Sequence, residues 1–420
     1  MDKNKMKKIL FINFITMATF NMAHPVTPSL INALSMPTYM FGVLYSTMSI
    51  AHFVMSPIWG SMSDQKGRKR FLVIGVIGYG LSQLGFGFIE STPLILLFRI
   101  TGGAMSVAFI TTCIAYVSDI SSKEERTKYM SYHTATTSIA SSAGALIGGF
   151  CGGYGYKVAF LTQFILCLVV AGIIYFIVDE TVEKKQGKIE VYTKHLKKGN
   201  KTTKLNPILS TMMIVMTLVT IATTSYNSTI NYYLESVLNM PTMVNGIVMA
   251  VAGFIALIMN LWINPYLSKK FNEKYTLVVA CVVSGVSMLV ASLFNNIMLS
   301  FMFIMIFVGS SALVTPIQQS IVSKLAKDNY GEIMGIQGSY KAIGMIVGSL
   351  ASGFIFDIGN KLPFILSGIC CLIVCILVSR ISLNEKSEKF SANKLVAALF
   401  GVGGIIALNV HSLQIPVRWF

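Results

Sequence analysis

Apolar residues run through the chain in long blocks, and twelve of these reach the roughly 20 residues that a helix needs to cross a bilayer. The blocks lie near 8–31, 40–60, 71–89, 94–117, 129–152, 158–178, 207–231, 243–265, 275–294, 298–320, 332–356 and 362–380. The first is read as a membrane span and not as a cleaved signal. Its apolar run passes through Pro25 and Pro28 without a small-residue cleavage site, and a second block follows at once. The longest interruption, 179–206, is polar and basic and divides the blocks into two sets of six. The expected organisation is a six-helix bundle over 1–178, a basic linker over 179–206, a second bundle over 207–390, and an extension over 391–420 with no assigned role.

Composition agrees with the pattern. Of 420 residues, 54% are hydrophobic and only 12% charged, against about 25% charged in a soluble domain. A soluble enzyme is excluded. The charge balance, 33 basic minus 17 acidic residues or +16, would suggest a nucleic-acid partner in a soluble protein. Here its distribution removes that reading. With the N-terminus inside, the outer loops hold only Lys157 and Lys361, while the inner ones hold Lys66, Arg68, Lys69, Arg70, Lys123, Arg126, Lys128 and the linker lysines. This asymmetry places both ends of the unit 1–390 in the cytoplasm of a plasma-membrane protein. The seven cysteines fall in apolar blocks without zinc-ribbon spacing, so no metal site is expected.

Gly144, Gly148 and Gly153 in the fifth block return 200 positions later as Gly344, Gly348 and Gly353 in the eleventh. Small residues at this spacing let helix backbones approach closely in lipid, so the repeat supports two related halves. Gly103 and Gly149 are read as packing positions too.

The loop after the second block reads Gly60-Ser61-Met62-Ser63-Asp64-Gln65-Lys66-Gly67-Arg68-Lys69-Arg70. Its glycines permit a tight turn, and its carboxylate can pair with the following arginines or sit at a helix N-terminus. A plain basic loop would explain the cations but not the spacing of Gly60, Asp64 and Gly67. The segment resembles the G-x-x-x-D-x-x-G-R-[KR] signature of the major facilitator superfamily, and the twelve-block layout extends the resemblance over 8–380. The bacterial drug:proton antiporters of that family are the branch it is most similar to. The resemblance implies an all-α polytopic membrane protein, with twelve transmembrane helices in two pseudo-symmetric six-helix bundles. It also implies a cytoplasmic latch, carried here onto Gly60, Asp64, Gly67 and Arg68. Gln65 stands where a basic residue is usual, and the corresponding stretch 264–274 has Ser268 in place of the acid. Asp119 and Arg126, around the loop after the fourth block, match another gating position of the family. Gly144-Ala145-Leu146-Ile147-Gly148-Gly149 resembles the antiporter motif of the fifth span, with Ala145 replacing its proline.

None of the 17 acidic residues falls near the middle of a block; Glu235 and Asp357 come closest, near the outer ends of the seventh and eleventh. Two cations lie deeper. Arg99 sits about six residues into the fourth block, where a charge is a functional candidate unless it snorkels to the interface. Its Arg-x-x-x-Gly spacing resembles the family motif tied to proton coupling. Lys341 lies nine residues, or ~14 Å of helical rise, into the eleventh block. It is a candidate proton carrier or a partner for an anionic substrate. His24 and His52 are the remaining deep titratable groups, with helix–helix contact as their plain alternative. Asn21, Tyr226, Asn227, Asn231, Gln318 and Gln337 are candidate cavity residues.

These features lead to one expectation. The chain is a carrier, not an enzyme, that exports small amphipathic molecules by alternating access, with protons as coupling ion, no cofactor and a monomeric state. The deep cations leave open export of an anionic metabolite or metal-chelating compound, and a lipid-linked headgroup flippase is a further alternative.

Overall fold

The computed structural model describes residues 3–122, 125–181, 206–294, 296–326 and 330–381. Two expected regions, the basic linker beyond Thr181 and the extension 391–420, lie outside the described residues. The helices are α1 (Lys3–Asn21), α2 (Thr27–Ala33), α3 (Met40–Lys66), α4 (Arg68–Phe88), α5 (Thr92–Ile120), α6 (Arg126–Gly152) and α7 (Tyr156–Ile177). They continue as α8 (Pro207–Tyr232), α9 (Thr242–Ile258), α10 (Asn264–Lys270), α11 (Glu273–Leu293), α12 (Ile297–Ala326), α13 (Tyr330–Phe356) and α14 (Leu362–Ser379). Among the described residues, ten helices are long and apolar enough to cross a membrane.

Helices α1 and α6 miss that criterion, and their sequences explain it. Lys3, Lys5, Lys7 and Lys8 occupy the first turns of α1, and Ser and Thr are scattered along α6. The two pack on each other. Asn13 Nδ2 donates to Thr136 Oγ1 and Thr137 Oγ1 at 3.0 and 2.9 Å, so the buried Asn13 amide is satisfied across the contact between the two helices.

The first block does not form one helix. It stops at Asn21, turns through 22–26, and resumes as α2. Pro25 supplies no N–H and disfavours helical backbone at His24, whereas Pro28 is tolerated in the first turn of α2. Two π-helical turns, Tyr233–Val237 and Met259–Ile263, extend α8 and join α9 to α10. The second immediately precedes Asn264 and Pro265, where the missing proline N–H interrupts the α-helical ladder.

The chain forms two compact units. One holds Met1–Lys204 together with Ser228–Gly253, and the other holds Leu205–Asn227 together with Phe254–Phe420. In the first, a core including Ile12, Tyr79, Phe109, Cys113 and Tyr116 fills the space between α1, α4 and α5. A Cβ on Gly144 or Gly148 of α6 would overlap the carbonyl oxygen of Ala18 or Met22. In the second unit, a Cβ on Gly344 or Gly348 of α13 would meet the carbonyl oxygens of Thr217 and Ile221 at 2.6 and 2.8 Å. The glycine repeat therefore marks equivalent helix contacts. Gly103 approaches Met48 O on α3, and Gly149 approaches Gly246 on α9 just as closely.

Candidate functional site

At the junction of α3 and α4, Gly67 adopts φ 96°, a backbone region open to glycine. The turn brings Arg68 back under α3. Its guanidinium pairs with Asp64, donates from Nε to Asp119 Oδ2 at 2.9 Å, and donates from Nη1 to Ser63 Oγ at 2.7 Å. Glu180, beyond α7, accepts from the backbone N–H of Arg68 and Lys69 at 2.7 and 3.2 Å. A carboxylate at a helix N-terminus is favoured by the free N–H groups and the helix dipole. A side chain at Gly67 would overlap that carboxylate. Arg126 does not join the cluster; it is exposed and reaches the Ser118 carbonyl at 3.4 Å. Nothing lies within 4 Å of a Cβ on Gly60.

The second unit holds a counterpart that a search for the same residue types misses. Glu273 begins α11 and pairs with Lys324 near the end of α12 at 2.8 Å, with Ser320 Oγ donating to the same carboxylate at 2.8 Å. Position 273 is 205 residues after Arg68 and 324 is 205 after Asp119. The pair recurs with its charges exchanged.

Arg68 is buried while Asp64 is mostly exposed, so the cluster's strength resides in the arginine's planar fork. Arg68→Lys is expected to lose two of the three side-chain contacts and about 1–3 kcal/mol of stability, read as a lower thermal midpoint in detergent. Asp64→Asn, at the exposed end, is expected to change that midpoint far less.

Within the first unit, the π-helical turn that extends α8 presents half-buried Glu235. Its Oε2 accepts from Asn245 Nδ2 at 3.1 Å and Thr242 Oγ1 at 3.3 Å, and Ser29 and Asn32 of α2 hydrogen-bond to the carboxylate as well. Asn245 also donates to Pro25 O at 3.0 Å, and Ser236 Oγ to Asn32 Oδ1 at 3.1 Å. This clasp ties 228–253 to α2 within the first unit. In the sequence Glu235 is only an acid near a span end, because its partners on α2 lie some 200 positions earlier.

Deeper in the first unit, Arg99 is buried, with Cζ 4.4 Å from the Phe86 ring centroid. His24, in the turn after α1, lies with its ring 6.2 Å from that of Tyr45, and its carbonyl accepts from Asn231 Nδ2 at 3.3 Å. Asn21 donates back into its own helix, to Met17 O.

In the second unit, Gln318 donates to Met212 O at 2.9 Å and accepts from Gln337 Nε2 at 2.6 Å, so both amides join helices. Tyr226 is buried edge-on to Phe307 at 5.4 Å. Asn227 and Lys341 are exposed. The apolar exposed residues Ile343, Val347 and Phe354 of α13 lie roughly 200–240° around the helix from Lys341 at ~100° per residue. Lys341 thus points away from the stripe suited to lipid, beside Gly338, whose surroundings are open.

Membrane-length helices whose ion pairs lie at the helix ends make a polytopic membrane protein of the all-α class. The model of the Major Facilitator Superfamily matches residues 9–348 and 263–411, and the chain belongs to that family. It is a membrane transporter and not an enzyme. It is 24% identical over 366 residues to multidrug resistance protein 2 of Bacillus subtilis (strain 168), covering 86% of this chain and 90% of that protein. It is 22% identical over 370 residues to the quinolone resistance protein NorA of Staphylococcus aureus (strain MSSA476), covering 86% and 92%. Among solved structures, a D-xylose-proton symporter superposes with TM-score 0.71 at 13% identity, over 89% of this chain and 97% of that one.

Proposed function

We infer that this transporter exports small amphipathic compounds across the plasma membrane by alternating access, driven by inward proton movement. The observation that carries the reading is end-to-end similarity to proteins named for multidrug and quinolone resistance. Loop cations put the N-terminus and the linker in the cytoplasm, and the halves 1–178 and 207–390 rock about a central site. In this orientation the Arg68–Asp64–Asp119 cluster is a cytoplasmic latch, and the Glu235 clasp works at the outer end.

Glu235 is the acid suited to proton coupling. As a carboxylate it offers only acceptors to the donors around it, and a bound proton turns one acceptor into a donor. Protonation from outside therefore weakens the clasp and favours opening on that side. Lys341 and Asn227 are assigned to the substrate path of the second half, and His24 to that of the first.

Proteoliposomes loaded with a cationic dye or with an aromatic acid test the reading. Efflux of at least one, accelerated by an imposed pH gradient, is the expected result. Efflux indifferent to the gradient for both compounds removes proton coupling, and no efflux of either removes export.

A further inference from the structure

Arg99 is a buried cation that has no counter-ion among the described residues. Among the described residues no ion pair reaches it, and its Nε meets no hydrogen-bond partner. Its electrostatic neighbours include Tyr45, Tyr79, His24 and His52. Two of these four bring positive charge, not negative, when they ionise. The Tyr79 hydroxyl is already committed, donating to Phe20 O at 2.8 Å and receiving the Gln83 amide. The Phe86 face is a favourable partner, but a single cation–π contact does not offset withdrawal of a guanidinium from water.

The surroundings form a built site. Tyr45, Met48 and His52 make one stripe of α3, at positions i, i+3 and i+7, and Arg99, Gly103 and Ser106 make the facing stripe of α5. The stripes are locked together by a hydrogen bond of 2.7 Å between His52 Nε2 and Ser106 Oγ. They are also held close by the approach of Gly103 to the Met48 carbonyl, where a Cβ would sit 2.8 Å away. His24, Tyr45 and His52 are half-buried, whereas Arg99 is buried deeper. Two imidazoles and a phenol thus make a half-buried rim, with the Arg99 guanidinium, its Nε unpartnered, as the floor. Guanidinium and carboxylate match in charge and in their paired geometry.

We propose that Arg99, with His24, Tyr45 and His52, binds the carboxylate of an amphipathic organic acid carried by this protein. The inference deepens the export reading, on which it rests for the ligand's being cargo. Binding is read separately from transport, so the two can fail independently.

The full-length chain is placed in phosphatidylcholine nanodiscs, and tritiated naphthalene-2-carboxylate is compared with the uncharged naphthalene-2-carboxamide. The acid is expected to bind at least ten-fold more tightly than the amide. Arg99→Gln is expected to bring the two to parity, and Arg99→Lys to keep part of the difference. His52→Gln, which leaves the buried charge in place, is expected to weaken acid binding several-fold and leave amide binding unchanged. Equal affinity for acid and amide in the unmodified protein overturns the proposal. So does an acid preference that survives Arg99→Gln. A preference that disappears when phosphatidylglycerol is added to the discs assigns the site to an anionic lipid headgroup and overturns the assignment to cargo. If the acid preference holds while proteoliposomes export nothing, the export reading fails and the binding site stands.

Discussion

Gly148→Val is expected to abolish accumulation of folded protein, while valine at Gly172 is expected to be tolerated. At Gly148 a Cβ would overlap the carbonyl oxygen of Met22 and crowd its Cα at 2.6 Å. Overpacking typically costs ~1–3 kcal/mol when side chains can yield, and more when they cannot. Here the obstacle is backbone just beyond α1, the helix whose Asn13 amide depends on α6 for partners. Moving α1 away would separate Asn13 from Thr136 and Thr137 as well as open the apolar seam. Gly172 lies on α7, and nothing sits within 4 Å of a Cβ there. Size-exclusion profiles of fluorescently tagged protein would separate the outcomes. A monodisperse Gly148→Val peak equal to the unmodified protein would show that the approach of α6 to α1 is not needed. Gly348→Val, the counterpart against Ile221, is expected to behave like Gly148→Val.

What could be read from the chain, and what could not, follows from how far apart the interacting residues lie. Spans are visible because apolar length is a local property, and α8, α11, α13 and α14 begin and end within two residues of their blocks. The break at Asn21 was also locally encoded, in Pro25, but its apolar surroundings concealed it. The loop 60–70 is legible as a motif, but the motif sets Asp119 beside Arg126 whereas packing pairs it with Arg68. The Glu273–Lys324 pair was invisible to a search for copied residues, since the two halves keep the positions and exchange the charges. Gln318 and Gln337 look alike as polar residues in apolar helices, and only three-dimensional placement reveals that they bond to each other.

Glu235→Gln is expected to abolish the response of export to a pH gradient while leaving substrate binding in place. The carboxylate gathers Ser29 and Asn32 from α2 and Thr242 and Asn245 from the start of α9. Glutamine preserves size and one acceptor oxygen, but its amide nitrogen faces groups that are themselves donors. It therefore imitates the protonated state permanently. The clasp then no longer alternates with proton occupancy, and a gradient has nothing at this end of the molecule to act on. Gradient-driven efflux from proteoliposomes is expected to fall at least ten-fold, while equilibrium binding of a transported dye changes less than two-fold. Glu235→Asp keeps the ionisable group but withdraws it by one methylene, so an intermediate, still gradient-dependent rate is expected. Undiminished gradient-driven efflux in Glu235→Gln would remove Glu235 from proton coupling. Loss of dye binding together with efflux would instead make the clasp a structural support for the substrate path. The separation matters because Glu235 is the half-buried acid whose hydrogen-bond partners come from both α2 and α9, the arrangement through which one proton can alter the contact between them.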